Sequence, residues 1–308
     1  DKGLLVARLS ALQVLCDLSL EPICNIKFIV EGEEEIGSPH LKEIVESNKR
    51  LLTANACIWE GGQIEPSGRP KISLGVKGIL YLELKAKTAS VDQHSSLATI
   101  IANPAWRLIW ALNSMKGEDE KIVVEGFYDD VRPPTEQEMK FLVELPSEEE
   151  EYKRMYGMKG FVMELTGVDL KKALYFGSTC NVDGFNSGYV GQGLKTVSPA
   201  VAKVKVDFRL VADQRSDDIY RKVKIHLSKH GFSDIEVKIL AAGEPCKTPL
   251  DSEITKVVTQ TAKRVYGVEP LIQPTIPGSG PMYIFADALG IPIISGEVLT
   301  RVDSKIHA

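Results

Sequence analysis

The chain has 308 residues, 44% of them hydrophobic and 26% charged, with a net charge of −5. That length allows two cores at roughly 100–200 residues per domain, and the acidic balance leaves no basic footprint for nucleic acid. No apolar run approaches the ~20 residues of a membrane span, and five scattered cysteines without a CxxC pair read as reduced thiols in a cytoplasmic protein.

Leu4 to Cys16 is apolar on almost every side, Arg8 and Gln13 excepted, which suits a helix packed against a sheet. Ile26 to Val30 has the β-branched and aromatic content of a buried strand. It runs straight into Glu31, Gly32, Glu33, Glu34 and Glu35, and Gly37-Ser38 closes the turn. Pro39 to Leu52 has helical spacing through Leu41, Ile44, Val45 and Leu51. Ala56 to Trp59 reads as the next strand, ended by Glu60-Gly61-Gly62. Strand, helix, strand in that order predicts a right-handed parallel crossover. It places Glu60 at the same sheet edge as the acidic turn, one strand over.

After a Pro- and Gly-rich connection the pattern changes. Gly78 to Lys87 alternates apolar and polar, as a half-exposed antiparallel strand does. Asn103-Pro104 starts a helix that runs to about Met115, with Leu108, Ile109 and Leu112 inward. Lys121 to Gly126 offers another strand, and Asp129 to Lys153 reads as a solvated insertion. Val201 to Leu210 alternates cleanly. Ser216 to His230 is an amphipathic helix capped by Ser216 and stopped by Gly231, and Ile235 to Leu240 is a strand. This block, residues 75–241, holds two β-α-β units of split βαβ, ferredoxin-like type. Buried α/β character then returns. Glu253 to Tyr266 is helical with Gly267 as its cap, Gly278 to Pro281 precedes a short helix, and Ile291 to Ile294 is a buried strand. The expected architecture is therefore an α/β domain made of residues 1–74 and 242–308, with an α+β block at 75–241 inserted into it.

Several acidic and imidazole groups follow strand ends, where open α/β sheets bind ligands. They are the Glu33–Glu35 turn, Glu60 and His307. Carboxylates crowded with an imidazole suit Zn, Mn or a similar divalent ion; the alternative is a solvated acidic loop. His226 and His230 stand four apart on a helix, but Leu227 occupies the place where a helical zinc-protease pattern needs Glu. A solvated helix face is the expectation there. His94 in DQHSS and Arg209 in DFRL read as a loop histidine and an exposed strand arginine, or as groups of a site.

EGEEEIGS at Glu31–Ser38 matches an EGxEExGS pattern and resembles the M20 family of metallopeptidases, in its dipeptidase and carboxypeptidase branch. NPAWRLIWALNS at Asn103–Ser114, GFYDDVRPP at Gly126–Pro134, TCNVDGFNSGY at Thr179–Tyr189, KTVSP at Lys195–Pro199 and the terminal His307-Ala308 carry the same resemblance, which covers nearly all of the chain. It implies a zinc-peptidase-like catalytic domain and a lid and dimerisation domain at 75–241. It implies two divalent metal ions, Zn first, Mn or Co next, and a small peptide substrate with no nucleic-acid or membrane partner. It implies Glu34 as general base, Glu35, Glu60 and His307 as metal ligands, and His94 reaching across a homodimer to the partner's site. Thr196 and Arg209 would hold the substrate carboxylate, and Ser279 fits a glycine-rich substrate loop. Glu60 stands where the family commonly has Asp. The family's HxD ligands do not occur in this sequence, and Asp1-Lys2-Gly3 matches only the end of its DDKG stretch. Asp1 therefore takes no ligand role. The resemblance leads us to expect a further segment upstream, a final helix beyond Ala308, and little activity from these 308 residues alone. Two rival classes remain: an N-acyl amino acid deacylase, and a non-catalytic dimeric protein on a peptidase scaffold.

Overall fold

The computed structural model describes residues 2–296. Within it the chain divides into two compact units. One comprises the chain up to Val76, Pro134–Ser147 and the chain from Cys246. The other comprises Lys77–Pro133 and Glu148–Pro245.

The first unit is built on a mixed sheet in the order Cys57–Trp59, Ile293–Ser295, Pro70–Ser73, Leu271–Gln273, with Gln63–Ile64 paired to Pro70–Ser73. Its strands are short, and Pro70–Ser73, Leu271–Gln273 and Ile293–Ser295 are buried along their whole length, as strands covered on both faces are. Successive side chains of one strand serve opposite faces. Ile293 packs with Leu41, Val45, Met282 and Phe285. Its neighbour Ile294 packs with Ile72, Leu74 and Ile272, against Ile254 and Val258 of helix Glu253–Tyr266. That helix begins where the Ser252 hydroxyl accepts from Thr255 N, and ends where Gly267 takes the left-handed conformation at φ 70°, which costs glycine no Cβ clash.

The second unit is a four-stranded antiparallel sheet with two helices on one face. In chain order it runs strand Gly75–Lys87, helix Pro104–Met115, strands Asn181–Ser187 and Val201–Leu210, helix Ser216–Lys229, strand Glu236–Gly243. Gly75–Lys87 pairs with both Val201–Leu210 and Glu236–Gly243, and Asn181–Ser187 forms the other edge. This is the βαββαβ arrangement that alternation implied. Leu80, Leu82, Leu84, Val204, Val206, Phe208 and Leu210 point inward, and Leu108, Ala111, Met115, Ile219, Val223 and Leu227 of the helices close over them.

Several expectations are corrected. Ile26–Val30 is not a strand: it forms no ladder, and its apolar side chains are exposed, Val30 at 65%. β-propensity describes a fit to neighbouring strands, and no described strand lies beside this segment. The parallel crossover expected from it is likewise not formed. Lys2–Asp17 is helical but buries no residue; its described tie to the sheet is Arg8, which donates to Trp59 O at 2.8 Å. Ile44, Leu51 and Ile109 are exposed, and Ala111 and Met115 take the inward positions beside Leu108. Around Lys121–Gly126 there is a single bridge, Lys116 to Ile122, although Ile122 and Val124 are buried. The segment read as a solvated insertion contains helix Glu136–Glu144, with Glu138 and Leu142 buried and a Thr135–Glu138 capping box. Ser216 is not the cap of its helix. Glu244 does that work from 28 residues away, accepting from Ser216 N at 2.9 Å and from its hydroxyl at 2.6 Å, a carboxylate at the positive end of the helix.

Candidate active site and metal ligands

In the first unit the acidic turn is a single 3-10 turn, Glu34–Ile36, closed by Gly37 at φ 88°. Gly37 N donates to Glu34 O at 2.8 Å, and Ser38 N donates to Glu33 O at 3.0 Å. The turn is pinned from both flanks. The buried Ser38 hydroxyl donates to Glu31 Oε1 at 2.8 Å, and His40 Nδ1 lies 2.8 Å from Glu33 Oε2. Glu33 holds the proton on His40, raising its pKa. Glu31 and Glu33 thus tie the turn to its flanks, and Glu34 and Glu35 are exposed in the turn itself. A strand would have sent two adjacent residues to opposite faces; a 3-10 turn does not impose that alternation.

Glu60 directly follows strand Cys57–Trp59, and Ser295 ends the parallel strand beside it, in register with Trp59. The Ser295 hydroxyl donates to Glu60 O at 2.7 Å. Two strand carboxyl ends therefore meet at Glu60. The chain after Gly296, His307 included, lies outside the described residues. Among the described residues no three His, Cys, Asp or Glu side chains come together as a metal ion would need. Glu35 and Glu60 have the right donor chemistry, but without His307 the described residues do not complete a site. Ser279 is half-buried at the end of strand Ile276–Ser279, just ahead of helix Met282–Leu289.

In the second unit His94 and Thr196 are brought together. The two-residue strands Gln93–His94 and Val197–Ser198 pair, Ser95 N donates to Thr196 O at 3.0 Å, and His94 Nε2 lies 3.0 Å from Thr196 Oγ1. Ser96 N donates to His94 Nδ1 at 3.2 Å. Nδ1 is therefore an acceptor, and the ring proton sits on Nε2, which donates to Thr196. Arg209 is not with them. Eight residues separate Val201 from Arg209 along one strand, about 26 Å at 3.3 Å per residue, and Thr196 precedes Val201. Within one chain Thr196 stands beside His94.

His226 is buried at 3% exposure, not solvated. Its ring stacks on His230 with centroids 4.1 Å apart, and Nε2 lies 3.2 Å from Ser114 Oγ. Burial, then the neighbouring His230, pushes its pKa below the usual 6.5; Glu125 raises it and Lys229 lowers it further. Above pH 6.5 neither the folded nor the unfolded chain holds this proton. Below 6.5 the unfolded chain takes it up first, so stability present above 6.5 is lost as pH falls toward the folded pKa. Urea midpoints measured between pH 7.5 and 5.5 are expected to fall on acidification, and to fall less in His226→Gln. An equal slope in both proteins would rule His226 out as the source.

All of residues 1–308 match the peptidase family M20/M25/M40. The chain belongs to that family. It is 28% identical over 278 residues to human Beta-Ala-His dipeptidase, covering 88% of this chain and 55% of that one. It is 25% identical over 285 residues to the Cys-Gly metallodipeptidase DUG1 of Saccharomyces cerevisiae, covering 88% and 58%. The chain thus spans a little over half the length of these curated relatives. Among solved structures, the M20 family metallo-carboxypeptidase Sso-CP2 from Sulfolobus solfataricus superposes with a TM-score of 0.90 at 39% identity, over 96% of this chain and 68% of that one. The mixed α/β fold is that of M20 peptidases, which use divalent metal ions.

Proposed function

We infer that this chain is the greater part of a cytoplasmic, metal-dependent peptidase that cleaves dipeptides or short peptides. The observation that carries the reading is the pinned 3-10 turn, in which the adjacent Glu34 and Glu35 are both exposed. Residues 1–74 and 242–308 form the catalytic domain and residues 75–241 the lid, except that Pro134–Ser147 belongs with the first unit. Glu35, Glu60 and His307 are the ligands this sequence offers to two divalent ions, Zn first, Mn or Co next. When bound, such ions acidify a shared water and polarise the scissile carbonyl. Glu34 takes the proton from the attacking water and hands it to the leaving amine, the double duty of a carboxylate base. Arg209 holds the substrate carboxylate, and Ser279 lines the substrate loop. His94, its ring held at Nδ1 by Ser96 N, stabilises the negative charge of the tetrahedral intermediate once its Nε2–H passes from Thr196 to the substrate.

His94 and Thr196 pair just before the start of strand Val201–Leu210 while Arg209 stands near its end, about 26 Å along the strand from Val201; this supports a site shared by two subunits, in which each lid lends His94 and Thr196 to its partner. The surface for such a dimer is available. Asn181–Ser187 is an open sheet edge, exposed over almost its whole length, and edges of this kind pair with other chains. Trp106 and Trp110 stack at 5.9 Å on the helix of the same unit, 54% and 53% exposed. Trp106→Glu with Trp110→Glu is expected to sediment as a monomer and to lose activity together with assembly; a variant that stays dimeric would remove this surface from the interface.

The three ligand groups in these 308 residues are divided between two ions, so this chain alone is expected to bind metal weakly and turn over slowly. Robust hydrolysis by it would overturn the ligand assignment. For the full-length protein, a panel of unblocked dipeptides beside N-acyl amino acids tests the reaction class. Preference for the dipeptides supports the reading. Preference for the acylated amino acids makes it a deacylase, and no turnover of either makes it a non-catalytic binding protein.

A further inference from the structure

Strand Val201–Leu210 presents Val201, Lys203, Lys205, Asp207 and Arg209 on the face of the sheet opposite its core. Lys203 and Lys205 are exposed, as charges on such a face ordinarily are. Asp207 is not: it is 8% exposed. A carboxylate withdrawn from water at a solvated face needs compensation. Arg209 Nε lies 3.3 Å from Asp207 Oδ2. Directly across the ladder stand Tyr81 on one side and Asn181 on the other. The Asn181 amide donates to the Asp207 carboxylate, and the Asp183 carboxylate lies close enough to raise its pKa. Asn181 Nδ2 also donates to Asp183 Oδ1 at 2.8 Å, and the Tyr81 hydroxyl donates to Asp183. The carboxylate is therefore held by Asn181 of the neighbouring strand as well as by the guanidinium.

The backbone of Arg209 is clamped as well. Its N–H donates to Thr179 Oγ1 at 3.0 Å, and Thr179 N donates back to Arg209 O at 3.1 Å. With the main chain held by Thr179 and the guanidinium held at Nε, few rotamers remain to the side chain. A carboxylate ligand is best met by a planar fork whose orientation is already set, because less entropy is lost on binding.

We propose that Asp207 is a positioning residue that orients the Arg209 guanidinium toward a substrate carboxylate. This rests on the reading of Arg209 as the group that holds that carboxylate. Asp207 touches no substrate; it acts through Arg209. Burial, then the charge of Asp183, raises its pKa, with Arg209 opposing them; the placement of Arg209 rests on the geometry and not on this shift.

The test is kinetic and spectroscopic, on the full-length protein. Asp207→Asn keeps the shape and removes the charge. It is expected to raise KM for an unblocked dipeptide about tenfold, the lower end of what a charge-assisted hydrogen bond is worth. kcat should barely move, and KM for the same dipeptide with an amidated carboxyl end should stay as it was. Arg209→Gln should erase the preference for carboxylate over amide altogether. If Arg209→Gln erases it while Asp207→Asn leaves it intact, the inference is overturned and the role of Arg209 stands. If Arg209→Gln leaves it intact, the role of Arg209 falls and the inference falls with it. The Arg209 Nε–H resonance gives a readout independent of turnover: protected from exchange in the parent protein, exchange-broadened in Asp207→Asn. An Nε–H equally protected in both would overturn the proposal even if KM shifts.

Discussion

Glu34→Gln in the full-length protein is expected to lower dipeptide turnover by ~10²–10⁴-fold while metal content and unfolding midpoint stay where they were. Glutamine keeps the size of the side chain and an accepting oxygen, so the 3-10 turn has no reason to rearrange. Its anchors, Ser38 on Glu31 and His40 on Glu33, are untouched by the change. What glutamine cannot do is take a proton from water and deliver it to the departing amine. Glu35→Gln removes a charged ligand, so metal content should fall along with activity. His94→Ala should slow the reaction with metal retained, because its proton on Nε2 serves the substrate. Metal analysis beside dipeptide kinetics for the three variants separates these roles. Loss of metal in Glu34→Gln with retention in Glu35→Gln would exchange the two assignments. Full activity in both would make the acidic turn a solvated loop.

The second large effect lies in the lid. Phe208→Ala is expected to lower the stability of the lid unit by ~3–5 kcal/mol. Phe208 is fully buried, and its ring lies 5.9 Å from that of Phe127 at the centre of the cluster. Truncation removes transfer free energy and leaves a cavity that close-packed neighbours fill only in part. Phe208 also sits between Asp207 and Arg209, so relaxation around the cavity moves the two residues that face the other way. KM should rise in step with the lost stability. Urea denaturation is the measurement, with Lys205→Ala on the exposed face as a control expected within about ±0.5 kcal/mol. A Phe208→Ala midpoint equal to that of the control would mean the alternating face does not hold this unit together.

The lid was legible because its code is local. Alternation in Val201–Leu210 assigns every side chain of that strand to a face, and Asn103 marks a helix start by capping chemistry that spans three residues. The failures share a cause of the opposite kind. Ile26–Val30 has strand composition, yet a strand exists only where a neighbour accepts its hydrogen bonds. Glu244 caps a helix that starts at Ser216, and no window of a few residues contains both. Helix Glu136–Glu144 looks solvated because its sequence is acidic, but Glu138 is buried against Lys247, more than a hundred residues away. His226 follows the stripe of Ile219, Val223 and Leu227 closely enough that its burial could have been read from helical spacing.

The candidate site divides in the same way. The acidic turn was visible as composition, and its place after an apolar run suggested chemistry, although the run is not a strand. Glu60 beside Ser295 follows from two parallel strands whose pairing joins positions more than two hundred residues apart. The separation of His94 from Arg209 needed only the length of one strand once Thr196 was placed. Asp207 went unnoticed because an acid two residues before an arginine on an outward face looks like any surface pair; its burial distinguishes it, and burial depends on Tyr81 and Asn181 across the ladder.

Metal dependence is the claim on which the whole reading stands, and removal and restoration of metal in the full-length protein tests it most directly. Treatment with a chelator followed by gel filtration should abolish dipeptide hydrolysis without unfolding the protein. Stoichiometric addition of Zn, Mn or Co to the same sample should restore it, and should fail to restore it in Glu34→Gln although the metal binds. Hydrolysis that continues unchanged in protein shown to be free of metal would contradict the account.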